Sequence, residues 1–143
     1  MKPSARSVSC VLRCTFPSDL AEIDVLCREV RERLVEMGLS AEVFPVEMLL
    51  RESLNNAVIH GNCGDVQKKV GVEICIGRNH IMLRVEDEGD GFDWKNTGTA
   101  TPDPGCVAGR GLSIYVLYAR RTSFNGKGNH VALVREIKKG TSL

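Results

Sequence analysis

Arg51-Glu52-Ser53-Leu54-Asn55-Asn56-Ala57-Val58-Ile59-His60-Gly61-Asn62 sets a carboxylate and an amide one helical turn apart at the border of an apolar face. Upstream, Pro45 suits a first helical position, and Val46, Leu49, Leu50, Leu54, Ala57 and Val58 recur at helical spacing as far as Gly61. On a wheel of about 100° per residue, Glu52, Asn56 and His60 follow one another along the border of that stripe, while Asn55 points away from the core. Alone, a Glu and an Asn at this spacing are an ordinary solvated helix edge, and a His near the helix end is ordinarily packed or capping. The weight of the stretch comes from its surroundings.

Before it, Val8 to Phe16 alternate loosely and predict a first strand at a sheet edge, ended by Pro17. Ser18 is placed to cap a helix. Leu20, Ile23, Leu26, Cys27, Val30, Leu34 and Met37 then form an amphipathic stripe that stops at Gly38. After it, residues 70–76 and 81–86 alternate with period two around Gly77-Arg78-Asn79-His80, which predicts an antiparallel hairpin. Residues 88–108 are rich in Gly, Thr, Pro and Asp and read as a long loop of the kind that closes over a site. Helical spacing returns from Gly111 to Ala119. Thr122 to Phe124, the turn Asn125-Gly126-Lys127-Gly128-Asn129, and the strand Val131 to Ile137 close the chain.

With 143 residues, 43% hydrophobic and 26% charged, the sequence suits one compact domain over 1–143. A net charge of +1 with interspersed signs disfavours nucleic acid as a partner. No stretch is apolar enough to span a bilayer and the N-terminus lacks an apolar leader, so a cytoplasmic protein without a membrane partner is expected. The six cysteines contain no C-x-x-C pair and read as reduced packing thiols, not as disulfides or a zinc site.

Three elements carry chemistry. An Asn56 carbonyl oxygen is a suitable hard ligand for magnesium beside nucleotide phosphates, and Glu52, one turn earlier, is placed to orient or deprotonate an attacking hydroxyl or water. In Val85-Glu86-Asp87-Glu88-Gly89-Asp90-Gly91-Phe92-Asp93 a strand ends in an Asp followed by alternating glycines, which permit positive φ and a close backbone approach. An Asp there can accept the exocyclic amine of adenine. Its bland counterpart is an acidic turn, and an EF-hand is ruled out because the loop positions and closing Glu are absent. Gly109-Arg110-Gly111-Leu112 precedes an apolar helix, where free N–H groups and the helix dipole favour an anion, with Arg110 facing phosphate or solvent. Rossmann and Walker patterns are absent, and so is a nucleophile elbow.

In this order, Glu52-x-x-x-Asn56, Asp87-x-Gly89-x-Gly91 and Gly109-x-Gly111 resemble the motif boxes of the Bergerat-fold ATPases, the superfamily of gyrase and the histidine kinases. Within it, the sequence looks most like the anti-sigma factor serine-protein kinases of the RsbW and SpoIIAB type. The resemblance implies an α/β (α+β) two-layer sandwich, with a mixed, mostly antiparallel sheet, helices on one face and a flexible ATP lid at about 93–108. It implies ATP and Mg2+ as cofactors, with Asn56 as magnesium ligand, Asp87 as adenine reader, and Gly89 and Gly91 as nucleotide-adjacent backbone. Gly109, Arg110, Gly111 and Leu112 would form the phosphate-side base of the lid, and Glu52 the catalytic base. Implied partners are a sigma factor and an anti-sigma factor antagonist of the STAS-domain type, with a homodimer as the working form. The sequence departs from the pattern at Gly128-Asn129-His130, where members often carry Gly-Thr, and Thr97 to Cys106 matches nothing in it. A sensor histidine kinase is disfavoured because no dimerisation helices with a phosphoacceptor His precede the motifs.

Overall fold

The computed structural model describes residues 8–91 and 107–137, with the backbone alone for 107–112. The chain runs β1 (Ser9–Pro17), α1 (Ala21–Glu36), a 3-10 turn (Ser40–Glu42), α2 (Val43–Asn55), a π-helical turn (Asn56–Gly61), β2 (Lys69–Ile76), β3 (His80–Glu86), α3 (Val107–Tyr118), β4 (Arg121–Phe124) and β5 (His130–Glu136). The five strands form one sheet in the order β1-β2-β3-β5-β4. All four pairings are antiparallel, so the expected mixed sheet is antiparallel throughout the described residues. β1 lies at one edge, as its loose alternation predicts.

Register explains the core. One cross-strand row runs Leu12, Ile74, Leu83, Leu133, and a second runs Cys14, Val72, Val85, Val131, Phe124. Leu12, Ile74, Leu83, Leu133, Val72, Val85 and Val131 are all buried in one cluster with the helix residues. The alternate positions carry Arg13, Glu73 and Arg84 on the opposite face, where Glu73 pairs with both guanidinium groups. Period-two alternation therefore makes one apolar and one polar face, and the helices cover the apolar one. The result is the two-layer α+β sandwich expected.

α1 buries Ile23, Leu26, Cys27, Val30 and Leu34, while Leu20 and Met37 at the ends of the predicted stripe stay exposed. Gly38 ends the helix with φ +77° and a 6→1 bond from Leu39 N–H to the Leu34 carbonyl at 2.8 Å, joined by Gly38 N–H to Val35 at 3.0 Å. The expected Ser18 cap is not made. Its hydroxyl is buried and donates to the Lys68 carbonyl at 2.7 Å, and Asp19 instead accepts from Ala21 N–H at 3.0 Å.

α2 begins two residues before Pro45, which therefore sits within the first turn, where no intrahelical donor is needed. Val46, Leu49, Leu50 and Leu54 are fully buried. α1 packs on α2, and α2 on α3. Arg51 joins the two helices by contacts to Asp24 and Glu47, with Arg31 also on Glu47. Those guanidinium groups hold the Glu47 carboxyl below its usual range, Arg31 most of all.

Cys10 and Cys75 form a disulfide, which corrects the reading of all cysteines as reduced. They lie far apart in sequence, and a bulge in β1 between Cys10 and Leu12 sets the register that brings them opposite. Cys27 does pack as a buried free thiol, Cys14 is half-buried and Cys63 is exposed. Among the described residues no helix is long and apolar enough to cross a membrane.

Candidate functional site

A cavity of about 100 Å³ opens between the C-terminal half of the α2 rod, α3 and the ends of β3, β4 and β5. Its floor is apolar, from Val85, Phe124 and Val131, and its polar wall comes from Ser53, Asn56, His60, Asp87, Tyr115 and Asn129. The rod reaches it in an altered geometry. Beyond Asn55 the backbone widens to π-helical hydrogen bonding, closing with Asn62 N–H on the Ala57 carbonyl at 2.8 Å. Such turns concentrate at functional sites because the ladder is given up to re-aim side chains. Ala57 and Val58 of the predicted stripe stay buried through this turn, and Asn56 and His60 both reach the cavity. His60 is exposed at the cavity rim, not packed or capping as expected.

Asp87 follows β3 and is held by its main chain: its N–H donates to the Asn129 carbonyl at 2.9 Å, and Asn129 Nδ2 donates back to the Asp87 carbonyl at 2.7 Å. Asn129 stands where the resemblance leads one to expect Thr, and it fastens the hairpin turn to the end of β3. The Asp87 carboxylate accepts from Gly89 N–H at 2.8 Å. Burial pushes its pKa up, opposed in part by that bond and by Lys127 and Lys68. It is a half-buried acceptor on a cavity wall.

The glycines have distinct reasons. A side chain at Gly61 would lie 2.3 Å from the Asp87 carboxylate, so Gly61 makes the space the carboxylate occupies. At Gly89 a Cβ would lie 1.8 Å from the Gly61 carbonyl, which makes its close approach one to protein backbone. Gly91 lines the cavity with φ +84°, the positive φ that the alternating glycines predict, and a Cβ there would meet the Lys127 carbonyl at 1.8 Å.

Behind the wall, the buried Asn62 uses both amide hydrogens and its carbonyl oxygen. Its Nδ2 donates to Ser18 Oγ at 2.9 Å and the Lys69 carbonyl at 3.0 Å, and its Oδ1 accepts from Glu88 N–H at 2.8 Å. One side chain thus fixes the rod, the start of β2 and the loop after Asp87. The sequence reading missed it, together with Gly61, Tyr115 and Asn129. Asn62 closes the quoted stretch, and a polar residue just past a helix end was the available signal.

Asn56 faces the cavity and donates from Nδ2 to the Tyr115 hydroxyl at 3.3 Å. Its Oδ1 is buried without a hydrogen-bond partner among the described residues. Leaving an acceptor so costs about 1–3 kcal/mol, which a cation at that oxygen would offset. A hard oxygen donor in that state fits a magnesium ion. Glu52 lies one turn earlier, outside the described lining of the cavity; burial pushes the Tyr115 phenol pKa up, the Asn56 bond opposes this, and the Glu52 charge adds a little to it.

Of the remaining predicted residues, Gly109, Arg110, Gly111 and Leu112 lie inside α3, which starts at Val107 and not after the Gly-x-Gly pair. The Gly-x-Gly pair thus lies in the first turns of the helix and not before it. Only the first four N–H groups of a helix lack internal partners, so of these four residues Gly109 alone qualifies. The lid expected at about 93–108 lies outside the described residues except for the backbone of Val107 and Ala108.

Compared with curated proteins, the chain finds no match. Residues 16–135 match the family model described as the histidine kinase-like ATPase domain, a span from the end of β1 to β5 that contains every element of the cavity. The chain belongs to the family of histidine kinase-like ATPase domains, which bind ATP.

Proposed function

We propose that this domain is an ATP-dependent protein serine/threonine kinase that acts as an anti-sigma factor, phosphorylating an anti-sigma factor antagonist of the STAS-domain type. The observation that carries the reading is Asn56, one helical turn after Glu52, whose buried Oδ1 lacks a partner among the described residues beside the cavity. The sigma factor, a homodimeric working form and a cytoplasmic setting belong to the same proposal and rest on the resemblance of the motif phrase.

In this reading adenine enters over Val85, Phe124 and Val131, and Asp87 accepts its exocyclic amine. Asn56 Oδ1 holds the magnesium ion, which when bound neutralises charge on the phosphates. The Ser or Thr hydroxyl of the antagonist attacks the γ-phosphorus: the new O–P bond forms, the bond to the β-phosphate oxygen breaks, and ADP leaves. Glu52 receives the hydroxyl proton. Catalysis is then mostly positioning and charge stabilisation, as phosphoryl transfer requires.

The test is incubation with labelled ATP, magnesium and a panel of STAS-domain antagonists. Transfer to one of them is expected, reduced by about 10²–10⁴-fold in Glu52→Ala, the usual weight of a general base, with nucleotide affinity kept. Unchanged transfer in that variant would remove Glu52 from the chemistry. ATP binding with a stable partner complex and no phosphorylated product across the panel would instead make the domain an ATP-sensing binding module.

A further inference from the structure

The turn that joins β4 to β5 carries two asparagines whose side chains meet, and the main chain sets their polarity at both ends. Asn125 Oδ1 accepts from Gly128 N–H at 2.7 Å and from Asn129 N–H at 3.1 Å. A backbone N–H can only donate, so these two bonds fix the oxygen end of the Asn125 amide and, with it, the nitrogen end. Asn125 Nδ2 donates to Asn129 Oδ1 at 2.7 Å. Asn129 Nδ2 is thereby turned to the Asp87 carbonyl, to which it donates at 2.7 Å. That carbonyl can only accept. Both ends of the relay demand the same sense, so the Asn129 carboxamide, whose two ends are nearly isosteric, is held in one of its two orientations.

The relay leaves a donor over. An amide nitrogen carries two hydrogens, and among the described residues the Asp87 carbonyl takes one. Asn129 and Asp87 both line the cavity. The wall at the end of β3 therefore offers an N–H donor from Asn129 as well as the acceptor carboxylate of Asp87. Adenine has the matching pattern: its exocyclic amine donates, and the ring nitrogens N1 and N7 that flank the amine accept, whereas guanine has a carbonyl oxygen in place of the amine. The threonine that the resemblance leads one to expect at position 129 has a single hydroxyl hydrogen and could not serve the Asp87 carbonyl and a ligand at once.

We infer that Asn129 is a specificity-determining residue that donates to a ring nitrogen beside the adenine amine, and that Asn125 is a positioning residue that holds the Asn129 amide in its donating sense. This deepens the proposed nucleotide reading and rests on Asp87 as the acceptor of the amine. Asn125 itself is exposed on the turn and outside the lining of the cavity, so it acts through Asn129.

The test is calorimetric titration of the intact chain, in magnesium, with a non-hydrolysable ATP analogue and with its 1-deaza and 7-deaza forms, in which C–H replaces one ring nitrogen. The readout is the ratio of parent to deaza affinity. In wild type one of the two deaza forms should bind about three- to tenfold more weakly than the parent, the net weight of one neutral hydrogen bond. Asn129→Ala should bring that ratio to within about twofold of unity, because the interaction is then missing on both sides of the comparison. Asn125→Asp keeps both acceptor contacts to the turn N–H groups but sets a carboxylate oxygen against Asn129 Oδ1; the Asn129 amide then turns round, and the ratio should fall in the same way. Loss of affinity for parent and deaza forms alike, with the ratio kept, would mark a structural role and overturn the inference for the residue changed. Wild-type ratios near unity for both deaza forms would overturn it outright. A nucleotide without the exocyclic amine that binds as well as the parent would overturn the reading of Asp87 whatever the deaza ratios, and the absence of any nucleotide binding would overturn the site and this inference together.

Discussion

At the scale of the residue, Asp87 is the clearest case of stability given up for a site. Its raised pKa means that, between the unfolded and folded values, the native state holds a proton the unfolded chain has released. Stability contributed at this position therefore falls as pH rises through that window and stays low above it. Asp87→Asn removes the titration while keeping an acceptor for Gly89 N–H. The variant should be at least as stable as wild type at neutral pH, with the difference shrinking towards acid pH in denaturant titrations, and it should lose protection by ATP. A variant that is destabilised at neutral pH would contradict the desolvation account. The glycines offer a second comparison at this scale: Gly89→Ala drives a methyl into the Gly61 carbonyl and should cost several kcal/mol or abolish nucleotide binding. Gly71→Ala, with nothing within 4 Å of the added carbon, should be within about 0.5 kcal/mol of wild type. Equal effects of the two in thermal unfolding would show that the close approach at Gly89 is not a constraint.

Elements were legible where a period persists. The buried rows of β2 and β3 follow from alternation, and the core positions of α1 and α2 follow from the 3.6-residue repeat, because burial on one face is the cause of the pattern. Legibility failed where a tertiary partner overrides local preference. Ser18 resembles a cap but is drawn to Lys68 and Asn62. The π turn at Asn56–Gly61 has no sequence period of its own, and α3 begins before its apolar spacing does, among residues that look like loop. The Cys10–Cys75 pair depends on a strand register that no cysteine spacing encodes. Asp87 and Asn56 were recognisable as residue types in order, whereas the Asn129, Gly61 and Tyr115 contacts that hold them arise only from folding. A prediction belongs here too. Gly38 ends α1 in the left-handed region with open space around it, so Gly38→Ala should cost about 1 kcal/mol through backbone strain alone. Chemical denaturation measures this directly, and a neutral outcome would mean the Schellman turn is not what stops the helix.

At the scale of the molecule, the sheet supplies a rigid floor and the α2 rod and α3 supply one wall, with the hairpin turn at Asn125–Asn129 pinned to the end of β3. Glu42 and Arg135 add a link between the start of α2 and β5, where Arg135 also donates to the Tyr118 carbonyl at the end of α3. One guanidinium thereby ties the start of α2 and the end of α3 to the same strand. In the proposed reading the apolar planar part of the ligand lies at Asp87 and its anionic, cation-bearing part at Asn56, as magnesium-bound ATP would provide. A ligand that binds only the native state raises its stability by mass action. The most direct test is the thermal unfolding midpoint of the intact chain with and without saturating ATP and magnesium. The account predicts a rise of roughly 5–10 °C at about a hundredfold excess over Kd, absent in Asp87→Asn, while an unshifted wild-type midpoint at saturating nucleotide would contradict it.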